Sequence, residues 1–194
     1  MTVAGAVLCG GASRRMGTDK ALIEIDGVVM AERAALVLEA AGCHPVVFIG
    51  GDETALGRTG RAVYADRWPG SGPVGGVVTA LDVLAGDDRS LRSVVVCACD
   101  LPDLTADAVR AVVGHEVSEP ADVRVAVGWR LEPMLACWDI DARPKVEHLL
   151  GSGHTSLHAV VAELVAVTVP VDPAAMSNAN TPEDLRKRPQ RSTG

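Results

Sequence analysis

Aromatic residues are nearly missing from this 194-residue chain, which holds one Phe, one Tyr and three Trp, or 3% of the sequence. A stacking platform for single-stranded nucleic acid has almost nothing to be built from. Positive charge is also short. With 18 Lys and Arg against 25 Asp and Glu, the formal net charge of -7 opposes general binding to a phosphate backbone, so any phosphate site must be local and no nucleic-acid partner is expected. No apolar run approaches 18 residues, which excludes a membrane-spanning helix from the expectations. The chain enters an apolar strand at once, without a basic region or cleavage pattern, so no signal peptide is expected. Five Cys without regular spacing do not make a disulfide framework and fit a reducing, cytoplasmic setting.

What is present is the composition of an ordinary globular domain, 48% hydrophobic and 22% charged. Short β-branched apolar runs occur at Val3 to Leu8, Val46 to Ile49, Ala62 to Ala65, Val94 to Ala98, Val123 to Val127, Met134 to Trp138 and Val165 to Val169. Between them, Ala and Leu recur at helical spacing over Met30 to Ala41, Val74 to Ala85, Thr105 to Val113, Pro144 to Leu150 and Thr155 to Leu164. Continuous runs such as Val94 to Ala98 suit strands buried on both faces. Strands alternating with helices predict one α/β doubly wound, mostly parallel sheet. The short Gly128 turn between two late strands predicts an antiparallel part. Residues 1–188 are read as one domain and 189–194 as a frayed tail.

Three stretches could carry chemistry. The first is Leu8-Cys9-Gly10-Gly11-Ala12-Ser13-Arg14-Arg15-Met16-Gly17-Thr18-Asp19-Lys20, directly after the first strand. Glycines, a hydroxyl and three cations in a loop leaving a buried strand offer the backbone N–H groups and positive charge that a polyphosphate needs. It is not a Walker A loop, because no Gly-Lys-Ser/Thr follows. The second is Gly70-Ser71-Gly72-Pro73-Val74-Gly75-Gly76, which satisfies G-x-G-x-x-G. It does not follow the first strand and lacks the ribose-binding acid, so a loop and helix start closing over a ligand is the better reading, with Pro73 in the first helical turn. The third is Asp100, at the carboxyl end of the most apolar strand, where α/β sheets place their ligands. A carboxylate beside a polyphosphate loop suggests Mg²⁺, and a turn acid ahead of Leu101-Pro102 is the plainer alternative. Cys97 and Cys99 read as buried thiols, and His154 and His158 as polar residues bordering a helix.

The loop from Leu8 to Lys20 resembles that of the molybdenum cofactor guanylyltransferases, the MobA-type nucleotidyltransferases, whose pattern is L-A-G-G-x-S-x-R-M-G-x-D-K; only Cys9 departs from it. The resemblance continues at Asp66 with Gly72-Pro73, at Cys97-Ala98-Cys99-Asp100, and at Asn178-Ala179-Asn180-Thr181-Pro182-Glu183. It implies a Rossmann-like domain that transfers GMP from GTP to molybdopterin, with Mg²⁺ as cofactor and pyrophosphate as leaving group. Leu8, Cys9 and Gly10 would then hold the guanine and ribose side through the backbone, with Gly11, Ser13, Arg15 and Lys20 around the triphosphate. Asp66 would contact the nucleotide, Asp100 would hold the metal, and Arg15, Lys20 and Asp100 would carry the chemistry. Asn178 and Asn180 would lie toward the pterin. A polar family position at the end of the second strand is replaced by Ile49-Gly50-Gly51, so backbone is expected to make that contact. Molybdenum-insertion proteins and recipient molybdoenzymes are the implied partners. Transfer from CTP, transfer to another phosphorylated acceptor, and a non-catalytic cofactor chaperone remain as alternatives.

Overall fold

The computed structural model describes residues 2–10, 19–87, 90–114 and 120–177. One seven-stranded sheet organises them, in the order β5-β4-β1-β6-β8-β7-β9. Its strands are β1 (Thr2–Leu8), β4 (Val46–Ile49), β5 (Val63–Tyr64), β6 (Leu91–Ala98), β7 (Val123–Val127), β8 (Leu131–Asp139) and β9 (Ala166–Pro170). Only β8 runs against its neighbours β6 and β7; the β1–β4, β1–β6, β4–β5 and β7–β9 pairs are parallel. The expected parallel sheet with an antiparallel part is therefore what forms. A two-stranded hairpin, β2 (Glu24–Ile25) and β3 (Val28–Val29), stands apart from it.

Two apolar layers cover the sheet. On one face, α1 (Met30–Ala40) and α4 (Ala106–Gly114) bury Ala31, Ala34, Ala35, Leu38, Ala108, Val109 and Val112 against Val7, Phe48, Val95 and Cys97. On the other, α3 (Gly72–Asp87), α5 (Arg143–Gly151) and α6 (Leu157–Ala162) cover Ala6, Val47, Val94, Val96 and Trp138. Small residues let these layers come close: a Cβ on Gly5 of β1 would stand 2.9 Å from Leu38 Cδ1 of α1. Such contacts build a core with few aromatics, although Trp138 and Phe48, both fully buried, are its largest members. Helix α3 is apolar nearly all round because it is covered on both sides, with Val74, Val77, Val78, Leu81 and Leu84 at 0–1% exposure.

Local signals account for most boundaries. Gly42, at φ +96°, ends α1, and Thr105 caps α4 by accepting a 3.2 Å bond from the Ala108 N–H. The short helix α2 (Glu53–Gly57) is capped by Asp52 and is too brief to show a period. Strand β8 begins three residues before its apolar run, and α6 is shorter at both ends than its pattern. No helix among the described residues is long and apolar enough to cross a membrane.

The chain leaves β1 toward β4 on one side, whereas β6 on the other side is reached from α3. The β1–β6 boundary is thus the topological switch point, and the crevice beyond its carboxyl ends is where such sheets bind ligands.

Candidate active site

Lys20 and Asp100 meet at that crevice. Asp100 sits in the turn just past β6, and Lys20 opens a short 3-10 turn, Lys20–Leu22, whose cap Asp19 accepts from the Ala21 N–H at 3.0 Å. The Lys20 ammonium lies 3.5 Å from Asp100 Oδ2, and each side chain is 24% exposed, so both charges face the crevice while half-sheltered from water. The structure therefore brings together two of the residues that the sequence placed in one site. Gly11, Ser13 and Arg15 lie outside the described residues, as do Asn178 and Asn180.

The floor is backbone. The Cys9 N–H donates to Ile49 O at 2.9 Å and the Cys99 N–H donates to Leu8 O at 3.3 Å, which ties the ends of β4, β1 and β6 together. Leu8 and Cys9 are buried, and Gly10 is exposed at the mouth. Gly50 and Gly51 follow at φ +73° and +83°, and a Cβ on Gly50 would stand 3.0 Å from the Gly10 Cα. A side chain at position 50 would push the β1 end out of place, so this position calls for glycine.

Asp66, beyond β5, uses Oδ1 to accept from the Trp68 N–H at 2.9 Å and from the Thr79 hydroxyl at 3.2 Å. Thr79, fully buried on α3, also accepts from the Arg67 N–H at 3.1 Å. Asp66 therefore ties the loop before α3 to that helix, and its Cβ lies 3.9 Å from a Cβ built on Gly50, beside the same floor.

The thiols here are structural. All five cysteines are free and buried. A hydrogen bond with Cys99, reinforced by burial, pushes the Cys9 thiol well up, and burial does the same for Cys97. Neither supplies a thiolate at neutral pH. His154, ahead of α6, and His158, within its first turn rather than at its border, are engaged with the carbonyls of Leu149 and Leu131.

The donor set suits a divalent ion of one kind. The described residues contain no group of three or more His, Cys, Asp and Glu able to hold a metal, so a closed protein cage is ruled out among them. A single partly exposed carboxylate fits an ion such as Mg²⁺ that takes most of its ligands from substrate phosphates and water.

A cleft of about 600 Å³ opens along the same sheet edge between the β7–β8 turn and the turn after β9. Trp129, Arg130 and Glu132 form one wall, with Asp172, Met176 and Ser177 opposite. Sequence reasoning passed over these residues. The available signal was a Trp in a turn of a chain with only five aromatics.

Among the described residues, a mostly parallel sheet with a cation and a carboxylate at its switch point, and no histidine beside them, is the arrangement of an α/β ligand-binding fold. The MobA-like NTP transferase domain model matches residues 5–168, and the chain belongs to that family. A relative from Opitutus terrae, named "probable molybdenum cofactor guanylyltransferase", is 36% identical over 193 residues, covering 94% of this chain and 92% of its own. Among solved structures, molybdopterin-guanine dinucleotide biosynthesis protein A from Archaeoglobus fulgidus superposes with a TM-score of 0.69 at 26% identity, covering 96% of this chain and 95% of its own. A protein from Aquifex aeolicus shares the fold at a TM-score of 0.76 and 23% identity, covering 93% of this chain and 94% of its own.

Proposed function

We propose that this protein transfers GMP from GTP to molybdopterin with release of pyrophosphate, giving the guanine dinucleotide form of the molybdenum cofactor. The Lys20–Asp100 pair carries the reading, because it sets a cation 3.5 Å from a carboxylate at the β1–β6 crevice. The names of the Opitutus and Archaeoglobus relatives supply the substrates.

The nucleophile is the terminal phosphate of molybdopterin. It attacks the α-phosphorus of GTP, a new P–O bond forms, and the bond to the β-phosphate oxygen breaks. A phosphate monoester has its second pKa near 6, so the attacking oxygen is already mostly ionised at neutral pH and no general base is required. What the site must supply is charge neutralisation and alignment. Lys20 neutralises the triphosphate and the departing pyrophosphate. Asp100 would hold Mg²⁺, which when bound supplies Lewis-acid stabilisation of the phosphoryl oxygens. The exposed backbone at Gly10 and the glycines at 50 and 51 let the base and ribose approach closely. Asp66 keeps the loop ahead of α3 against that floor. Gly11, Ser13 and Arg15 take the triphosphate, with Arg15 adding a second cation. Asn178 and Asn180 follow Ser177, which lines the cleft, and their neutral amides suit a pterin edge offering both donors and acceptors. Five reduced thiols fit work in the cytoplasm.

The test is acceptor-dependent pyrophosphate release. With GTP, Mg²⁺ and molybdopterin together, pyrophosphate appears in step with a pterin dinucleotide; omitting acceptor or Mg²⁺ stops it. Binding of GTP and molybdopterin without release would identify a cofactor carrier and overturn the transferase reading.

A further inference from the structure

We propose that Glu132 and Trp129 read the pterin ring of the acceptor, Glu132 by its hydrogen-bonding edge and Trp129 by its face. This rests on the reading of the chain as a pterin nucleotidyltransferase and adds the residues that would select the acceptor. The topology locates them. Strands β7 and β9 run parallel to β6, and β8 runs antiparallel, so the β7–β8 turn, the start of β8 and the end of β9 all lie on the same sheet edge as Asp100. They stand on the β8-β7-β9 side of that edge, across β6 from the glycine floor of β1 and β4.

A break in the ladder aims Glu132. Along β7 the pairing passes from Val125 opposite Ala136 directly to Ala126 opposite Glu132, so three residues of β8, from Pro133 to Leu135, bulge between. Such bulges re-aim side chains beside active sites, and Pro133, which has no N–H to donate, is suited to one. The Glu132 side chain is 15% exposed and lines the cleft. Its Oε1 accepts from Arg130 Nε at 3.0 Å, and Arg130 itself is 73% exposed, so the pair sits at a solvent-open mouth. Asp172 on the other wall accepts from the Ala174 N–H at 2.9 Å through Oδ1 and caps the turn Pro173–Met176. Each carboxylate has one oxygen in these bonds, and Glu132 is the one that shares its wall of the cleft with Trp129.

The ligand chemistry follows from that group. A 2-amino-4-oxopyrimidine edge presents an exocyclic amine and a ring N–H side by side, two parallel donors that a carboxylate accepts as a pair. Trp129, 92% exposed in the Gly128–Arg130 turn, offers an indole face beside that edge, large enough to cover a fused bicyclic ring. Guanine carries the same donor edge as a pterin. The position across β6 from the glycine floor assigns the cleft to the acceptor, and the experiment separates the two sources.

The variants Glu132→Gln, Trp129→Leu and Trp129→Phe are assayed for the KM of molybdopterin, and their GTP binding is followed by the GTP-dependent rise in Tm. Glu132→Gln and Trp129→Leu are expected to raise the molybdopterin KM tenfold or more, Trp129→Phe to recover most of the loss, and the GTP shift to stay that of the wild type. Free pterin and lumazine, which has an oxo group in place of the 2-amino group, are titrated against Trp fluorescence without any turnover. Wild type is expected to bind pterin at least tenfold more tightly than lumazine, and Glu132→Gln to lose that preference. A wild-type protein that binds pterin in this way but makes no dinucleotide would sink the transferase reading and leave the ring site standing. Unchanged molybdopterin KM in both variants, equal binding of pterin and lumazine, or a loss of GTP affinity in place of acceptor affinity would each overturn the assignment. Trp129, being exposed, keeps the test open should Glu132→Gln fail to fold.

Discussion

Replacing Asp100 by Asn removes one charge while keeping the side chain's size and hydrogen-bonding capacity. In the free protein the loss is small. The ion pair with Lys20 spans 3.5 Å with both side chains 24% exposed, and pairs open to solvent contribute on the order of 0–1 kcal/mol once desolvation and side-chain ordering are counted. For a domain of this size a loss of 1 kcal/mol lowers Tm by roughly 2–4 °C. Turnover is another matter, because the proposed mechanism needs the charge where the α-phosphorus reacts. Removing one electrostatic contact from a reacting centre commonly costs ~10²–10³ in rate, and loss of the carboxylate proposed to hold the metal should reach at least that. Pyrophosphate release at saturating GTP, molybdopterin and Mg²⁺ is therefore expected to fall at least 100-fold in a protein whose Tm moves by a few degrees. Activity within tenfold of wild type would refute the role of Asp100 in catalysis. A collapse in Tm would show that the carboxylate is a structural member of the β6 turn.

Lys20→Ala should weaken GTP binding and slow transfer together, since the proposed site has its cation meet the triphosphate before and during reaction; an equal GTP-dependent Tm rise in variant and wild type would place Lys20 outside the site. Gly50→Ala and Gly27→Ala both put a methyl at positive φ, +73° and +77°, but only at Gly50 would it press on backbone, 3.0 Å from Gly10 Cα. Urea melts should show Gly50→Ala losing about 1–3 kcal/mol and more than Gly27→Ala, together with weaker GTP binding; equal losses would deny the close approach. Burial pushes the Cys43 thiol up to about 12, so the folded chain keeps a proton that the unfolded chain releases near pH 9. Stability present below pH 9 is then lost as pH rises toward 12, with a slope of roughly 1.4 kcal/mol per pH unit from this group. Urea melts of wild type and Cys43→Ala from pH 8 to pH 11 should show the shallower slope in the variant, and identical slopes would count against burial as the cause.

How far the sequence carried the reading depended on whether a feature was local. Val94 to Ala98 declared a doubly buried strand by composition, and Asp100 and Lys20 announced themselves by position at strand and loop ends. Their meeting at 3.5 Å needed the switch point of the sheet. The β2–β3 hairpin was legible but unread: Asp26-Gly27, at φ +52° and +77°, is the favoured pair for a tight two-residue turn. Helix α2, held by the Asp52 cap, has no periodicity to find. The pairing of Arg61 with Glu32 and Glu39 at 2.6–2.7 Å joins residues more than twenty apart and leaves no pattern in sequence. Glu132 was invisible for a like reason, since its aim depends on a bulge in the β7–β8 register.

The central claim is that GTP, not CTP, is the donor to molybdopterin. This chain reads Cys9-Gly10-Gly11 directly after Leu8, and a glycine at position 10 lets backbone approach a purine edge more closely. A site that hydrogen-bonds one base edge leaves polar groups unpaired with the wrong base, so discrimination of about 10²-fold or more is expected. The most direct measurement is kcat/KM for GTP and for CTP with the same molybdopterin, the product identified by mass spectrometry. The account predicts the guanine dinucleotide with GTP favoured about a hundredfold; equal values, a preference for CTP, or no pterin dinucleotide from either would contradict it.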